Sequence, residues 1–174
     1  NPAYKKIIFG NSSLRFDLGK LSMGVSTQNL WWGPGIYNSL LMSNNAEGFF
    51  HYTIHSNRPI KNFLGVFQIQ IIGATLKHDS LQGFENNSLK RRIYFPENRY
   101  LNSIALDYQP SFLNNISIGV NRSLQTYFST RPDNFIDKYV PVISAFFGST
   151  DVKRDTFPQD QVVSVYTKWM FPKS

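Results

Sequence analysis

Regular alternation of apolar and polar residues is the feature that most limits what this chain can fold into. Two runs of alternating apolar residues flank the dipeptide Gly19-Lys20: Leu14, Phe16 and Leu18 before it, and Leu21, Met23 and Val25 after it. Successive side chains of a β-strand point to opposite faces, so a period of two predicts strands and not a helix. A two-residue turn that begins with glycine would pair Leu18 with Leu21 and place both apolar runs on one face.

The same period recurs along the rest of the chain. Further apolar faces are Phe67, Ile69 and Ile71; Tyr100, Ile104, Leu106 and Tyr108; Ile116, Ile118 and Val120; and Val163, Val165, Thr167, Trp169 and Phe171. The residues between them are mainly Ser, Asn, Gln and Gly. With a weaker candidate around Ile7 to Phe9, the pattern predicts about seven or eight strands. No apolar run approaches the roughly 18 residues that a membrane-spanning helix needs.

The connections between the predicted strands alternate in length. They are short at 19–20, 57–62 and 110–113, and long at 29–48, 77–99 and 125–161. Outer-membrane barrels have short periplasmic turns and long extracellular loops, whereas a soluble sheet has no reason to sort its loops in this way. The sequence therefore predicts an all-β, antiparallel transmembrane outer-membrane β-barrel, here a partial barrel of about seven or eight strands. Residues 1–174 would form a single β-barrel domain or the C-terminal part of a larger barrel.

Composition agrees with a wet interior lined by small polar side chains. Charged residues make up 17% of the chain, below the roughly 25% that is usual for soluble domains. Asparagine (16) and serine (18) are abundant, and there is no cysteine, which excludes disulfide scaffolds and thiolate metal sites. The net charge of +7 permits attraction to acidic glycans, lipid phosphates or nucleic acid. Nucleic acid is disfavoured because the basic residues lie at strand ends and not on a helix or an aromatic sheet face.

One segment carries a specific resemblance to a known family. Trp31-Trp32-Gly33-Pro34-Gly35 is followed by Asn38-Ser39-Leu40-Leu41-Met42-Ser43-Asn44-Asn45-Ala46 and then by Gly48-Phe49. This run resembles the signature of the capsule-assembly Wzi family. The resemblance implies an outer-membrane β-barrel that acts as a lectin and helps attach exported capsular polysaccharide to the cell surface. After the Asn-Asn-Ala run the chain lacks the proline-rich stretch expected for the family.

The residue types in this segment suit carbohydrate binding. Trp31 and Trp32 sit beside a Gly-Pro-Gly corner, where proline fixes φ and stiffens an aromatic platform on which sugars can stack. Asn44 and Asn45 offer amide donors and acceptors for sugar hydroxyl groups. We therefore expect these four residues to bind carbohydrate. In the alternative interpretation the tryptophans plug the barrel or sit at the membrane interface.

A basic cluster provides the second set of candidate carbohydrate-binding residues. Lys90, Arg91 and Arg92 lie in the predicted 77–99 loop, which would be extracellular. There they could pair with lipopolysaccharide phosphates or with carboxylates of an acidic polysaccharide, because guanidinium groups add paired hydrogen bonds to charge. A solvated loop with no ligand is the alternative.

Residues for catalysis or metal binding are not apparent in the sequence. His51 and His55 lie four residues apart in a predicted strand, about 13 Å at 3.3 Å per residue, too far for one metal. The carboxylates are scattered and form no glycosidase-like pair. We expect a bacterial outer-membrane protein that binds extracellular polysaccharide, with no catalytic residue, metal or cofactor. Two alternatives stay open: a structural barrel subunit of a larger cell-envelope complex, and a small barrel enzyme acting on lipid or glycan.

Overall fold

The computed structural model describes residues 10–77, 97–113, 115–128 and 159–171. These residues form eight β-strands in one sheet. The strands are β1 (Ser13–Leu18), β2 (Leu21–Ser26), β3 (His51–Ser56), β4 (Ile60–Lys61), β5 (Gly65–Leu76), β6 (Arg99–Pro110), β7 (Ile116–Tyr127) and β8 (Gln159–Trp169). The strand predicted around Ile7 to Phe9 lies outside the described residues. Within the described ranges, no helix has the length and apolar character needed to cross a membrane.

The sheet is an up-and-down meander. Its order is β1-β2-β3-β5-β6-β7-β8, every pairing is antiparallel, and the two-residue β4 pairs with the end of β5. The predicted all-β antiparallel fold is thus confirmed. Because strand direction reverses at each of the six pairings along this order, β1 and β8 run the same way at the two edges of the described sheet.

The first hairpin has the predicted register. Leu18 pairs with Leu21 and Phe16 with Met23, so the apolar residues of both strands share a face. Gly19 opens the turn with φ of 64°, in the left-handed region that glycine enters without steric cost. The two-residue turn keeps the chain in register because it leaves no spare residue to slip.

Antiparallel pairing carries the same two faces across the sheet. Ile69 pairs with Leu106, Leu106 with Val120, and Val120 with Val165, which defines the apolar face. Gln68, one residue before Ile69 on β5, lies on the opposite face, which we call the polar face. The apolar face is exposed toward the edges of the sheet, where Val165 is 65% exposed, and Ile104 in its middle is buried.

The connections are sorted by length onto the two ends of the sheet. Residues 19–20, 57–64 and 111–115 make the short connections, the second of which contains the two-residue β4, and 27–50, 77–98 and 128–158 make the long ones. We call these the short-turn end and the long-loop end. The predicted alternation is confirmed, although β7 continues to Tyr127, beyond the predicted strand end. The ladder continues there because its backbone hydrogen bonds with β6 do not depend on side-chain polarity.

Aromatic residues lie toward both ends of the apolar face. At the short-turn end Phe67 stacks on Tyr108, with ring centroids 4.6 Å apart. Toward the long-loop end the hydroxyl groups of Tyr52 and Tyr100 lie 2.5 Å apart, and Phe128 contacts Tyr100 edge-on. Two aromatic levels on one apolar face are typical of a barrel wall that crosses a bilayer.

Candidate functional site

The 27–50 segment leaves β2 at the long-loop end and packs against the polar face of the sheet. The buried apolar residues between them form one cluster: Trp32, Met42, Ile72, Ala74, Leu101 and Ala105. Trp32 is only 5% exposed, and its Nε1 donates a hydrogen bond of 2.9 Å to Gln70 Oε1. The core therefore lies on the polar side of the sheet, beneath this segment.

The segment is also held together internally. The Trp32 backbone N–H donates to the Met42 carbonyl at 3.2 Å, and the Ser39 hydroxyl donates to the Trp32 carbonyl. Trp31 Nε1 donates to the Gly35 carbonyl at 2.8 Å, which closes the Gly-Pro-Gly corner. These bonds give the two tryptophans different surroundings: Trp32 is buried in the core, and Trp31 is half-buried in the corner.

Between the segment and the polar face lies a cavity of about 710 Å³. Its wall combines residues of the segment with residues of β1, β2, β3, β5, β6, β7 and β8, mainly from their polar face. Polar and aromatic residues of the wall include Arg15, Gln28, Asn29, Trp31, Thr53, His55, Gln68, Asp107, Gln109, Ser117, Tyr166 and Lys168.

The wall of the cavity extends both along and across the strands. Along the strands, the wall reaches from His51, which pairs with Ala74 of β5, to Gln109, which pairs with Val66 of the same strand. Eight residues of β5 separate these two levels, about 26 Å at 3.3 Å per residue. Across the strands, the wall reaches from Arg15 of β1 to Lys168 of β8, the two edges of the described sheet.

The wall carries mainly neutral hydrogen-bonding groups, together with two cations. Arg15 is oriented by a hydrogen bond of 3.2 Å from its Nη2 to Gln28 Oε1, and Lys168 contributes a second cation. The carboxylate in the wall, Asp107, accepts a hydrogen bond of 2.6 Å from the Tyr166 hydroxyl. The local charge is therefore positive, with the negative group already engaged.

Tyr166 reaches Asp107 by crossing a glycine. Gly119 on β7 lies between them in the register, paired with both residues. A Cβ at Gly119 would lie 2.0 Å from the Tyr166 ring, so the ring occupies the space that any side chain at that position would need. Gly119 thus allows the Tyr166 hydroxyl of β8 to reach Asp107 of β6 across β7.

The structure separates the residues predicted to bind carbohydrate. Trp31 and Trp32 both line the cavity, Trp32 mostly through its packing role. Asn44 and Asn45 are exposed on the segment and do not belong to the wall. Lys90, Arg91 and Arg92 lie outside the described residues.

Other wall residues were not singled out from the sequence as binding residues. Arg15, Asp107 and Lys168 come from distant strands, and only the register brings them to one groove. The available signal was the period of two, which assigns them to the polar face with Gln68 and Tyr166.

The two histidines of β3 share the polar face, as their spacing predicts. His51 Nδ1 lies 2.8 Å from the Phe49 carbonyl oxygen, so this nitrogen carries the proton and donates it. In the part of the chain that the structure describes, no group of three or more His, Cys, Asp or Glu residues is placed to hold a metal ion.

An antiparallel meander with an apolar face, aromatic residues at two levels and a polar opposite face defines the class of β-barrel walls. Residues 3–164 match the family model described as capsule assembly protein Wzi, and the chain belongs to this family. Its role is therefore in capsule assembly. The chain matches none of the curated proteins and none of the solved structures with which it was compared.

Proposed function

We propose that this protein binds capsular or extracellular polysaccharide in the groove on its polar face and thereby helps attach the polysaccharide to the cell surface. In this proposal the apolar face contacts lipid of the bacterial outer membrane, and the long loops are extracellular. Family membership supports the location, and the sorting of loops by length supports the orientation.

The cavity is the observation that carries this proposal. Its volume of about 710 Å³ falls within the range of about 300–1,000 Å³ that small-molecule sites usually occupy. Its wall extends about 26 Å along the strands, so several sugar units of one chain could occupy it together. Its groups are mostly amides and hydroxyls, which both donate to and accept from sugar hydroxyl groups.

Trp31 supplies the aromatic surface of this groove. Its Nε1 is bonded to Gly35, which fixes the ring in the wall, and the ring is half-buried and lines the groove. A fixed aromatic face loses little side-chain entropy when a sugar stacks on it. Arg15 and Lys168 would add affinity for polysaccharides that carry carboxylate or phosphate groups.

The remaining predicted residues extend the proposal beyond the groove. Asn44 and Asn45 are exposed, so their proposed role is contact with polysaccharide outside the cavity. For Lys90, Arg91 and Arg92 the proposed role is attraction of acidic polysaccharide or lipopolysaccharide phosphate, and it rests on the sequence alone.

We further propose that the protein acts by binding and not by catalysis. Most glycoside hydrolases use two carboxyl groups that flank the scissile bond. The described wall contributes one carboxylate, Asp107, and the Tyr166 hydroxyl already occupies one of its oxygens. This arrangement favours a structural role for Asp107.

The experiment that tests the proposal is Trp31→Ala in the folded protein. Binding of purified capsular polysaccharide, measured by affinity electrophoresis, should weaken about fivefold, because an aromatic contact of this kind is worth about 1 kcal/mol. Tyr37→Ala is the matched control, since Tyr37 is an aromatic residue of the same segment, is 90% exposed and does not line the cavity. Equal affinity of the Trp31 variant and the wild type would contradict the groove as the binding site.

A further inference from the structure

The apolar face carries one charged side chain among the strand residues that the structure describes. Arg122 of β7 pairs with Ile104 on one side and with Val163 on the other, and both partners are aliphatic. Val120 and Leu124, two residues before and two residues after Arg122 on β7, lie on the same face. An arginine in such surroundings is costly in a bilayer and is therefore a candidate for function.

The position of Arg122 along the strands places its Cα in the middle of this face. Its partner Ile104 is four residues from Tyr100 and four from Tyr108, which mark the two aromatic levels. Each interval is about 13 Å along the strand at 3.3 Å per residue. The guanidinium can escape the apolar layer only by extending toward one of these levels.

The side chain extends toward the long-loop end. Arg122 Nη2 donates a hydrogen bond of 3.0 Å to Oε1 of Gln161, which pairs with Leu124, one row nearer the long loops. Gln161 is exposed, whereas Arg122 Nε is buried and has no hydrogen-bond partner among the described residues. Beside this pair, Asn102 is 4% exposed and its Oδ1 is also without a partner there. The Nη nitrogens, unlike the buried Nε, are therefore the donors that can meet a ligand on the long-loop side.

We propose that Arg122 and Gln161 bind the phosphate of an anionic lipid in the leaflet on the long-loop side. A guanidinium group matches phosphate oxygens through paired, charge-assisted hydrogen bonds. The described strands offer no carboxylate on this face. A second copy of the chain packed on the same face would therefore bring two Arg122 side chains together with no opposite charge between them. The proposal rests on contact of the apolar face with lipid and is independent of polysaccharide binding.

The test compares lipids that differ only in phosphate. The full chain is purified in neutral detergent, mixed with lipid A or with dephosphorylated lipid A, and separated from unbound lipid. Mass spectrometry then measures the lipid retained per protein. The wild type should retain about tenfold more of the phosphorylated lipid, as expected for a hydrogen-bonded charge pair. Arg122→Gln should abolish this preference, and Arg122→Lys should keep part of it because the charge remains.

Arg99→Gln is the matched control, because Arg99 lies on the polar face near the long-loop end and contacts Tyr127 and Asp160. It should keep the full preference. Excess inorganic phosphate should not displace the lipid, since a free phosphate lacks the acyl chains that bring the headgroup to this depth. Equal retention of both lipids by the wild type would overturn the proposal, even if Arg122→Gln does not fold.

Discussion

Replacing Trp32 by alanine tests whether this residue docks the 27–50 segment onto the polar face. Trp32 contacts both the segment and the sheet through the buried cluster that includes Met42 and Ile72. It also donates a hydrogen bond to Gln70, on a strand 38 residues further along the chain. The change therefore removes the most buried side chain that the segment contributes to this cluster, without altering any strand.

The magnitude follows from burial. A tryptophan side chain buries about 150–250 Å², and truncation of a buried tryptophan to alanine costs about 3–5 kcal/mol. At about 1.4 kcal/mol per tenfold, the undocked population of the segment should rise between about one hundred and several thousand times. The sheet should stay folded because its ladders do not involve Trp32.

Hydrogen exchange measured by mass spectrometry is the appropriate assay. The amides of the 27–50 segment should exchange faster as it leaves the sheet, while the amides of β5 to β7 keep their protection. Trp31→Ala serves as the control, because Trp31 is half-buried and bonded within its own corner. Unchanged exchange in the Trp32 variant would refute the docking role, and loss of protection throughout the sheet would show that Trp32 supports the whole fold.

Two further predictions concern the strand interior and the basic loop. Gly119→Ala should destabilise the protein by about 2 kcal/mol in urea unfolding, because the new Cβ displaces Tyr166 and breaks its bond to Asp107. In that background Tyr166→Phe should cost almost nothing more, and additive losses would contradict the coupling. Replacing Lys90, Arg91 and Arg92 by glutamine should weaken retention of an acidic polysaccharide more at low salt than at 0.1 M salt or above. At 0.1 M salt, exposed charges more than about 10 Å apart are largely screened from each other. An effect equal at all ionic strengths would argue against an electrostatic role.

The sequence by itself determined the long strands, their faces and the sorting of their connections, whereas the two-residue β4 lies inside the connection predicted at 57–62. Side-chain direction in a strand alternates by local geometry, so Leu14 to Val25 and Phe67 to Ile71 reveal their face without knowledge of any partner. The alternation between short and long connections can also be read directly from the amino-acid sequence. The family resemblance of residues 31–49 was likewise a property of the sequence, and the match to residues 3–164 confirms it.

Only the tertiary structure decided how the two tryptophans differ and which residues form the groove. Adjacent residues of one corner have the same local sequence, yet Trp32 enters the core and Trp31 lines the cavity because the segment docks on one side. Likewise, no local signal joins Tyr166 to Asp107, which lies 59 residues away and is reached across a glycine gap. Such contacts depend on strand register and on packing between distant segments, and these are set by the whole sheet and not by any short stretch of chain.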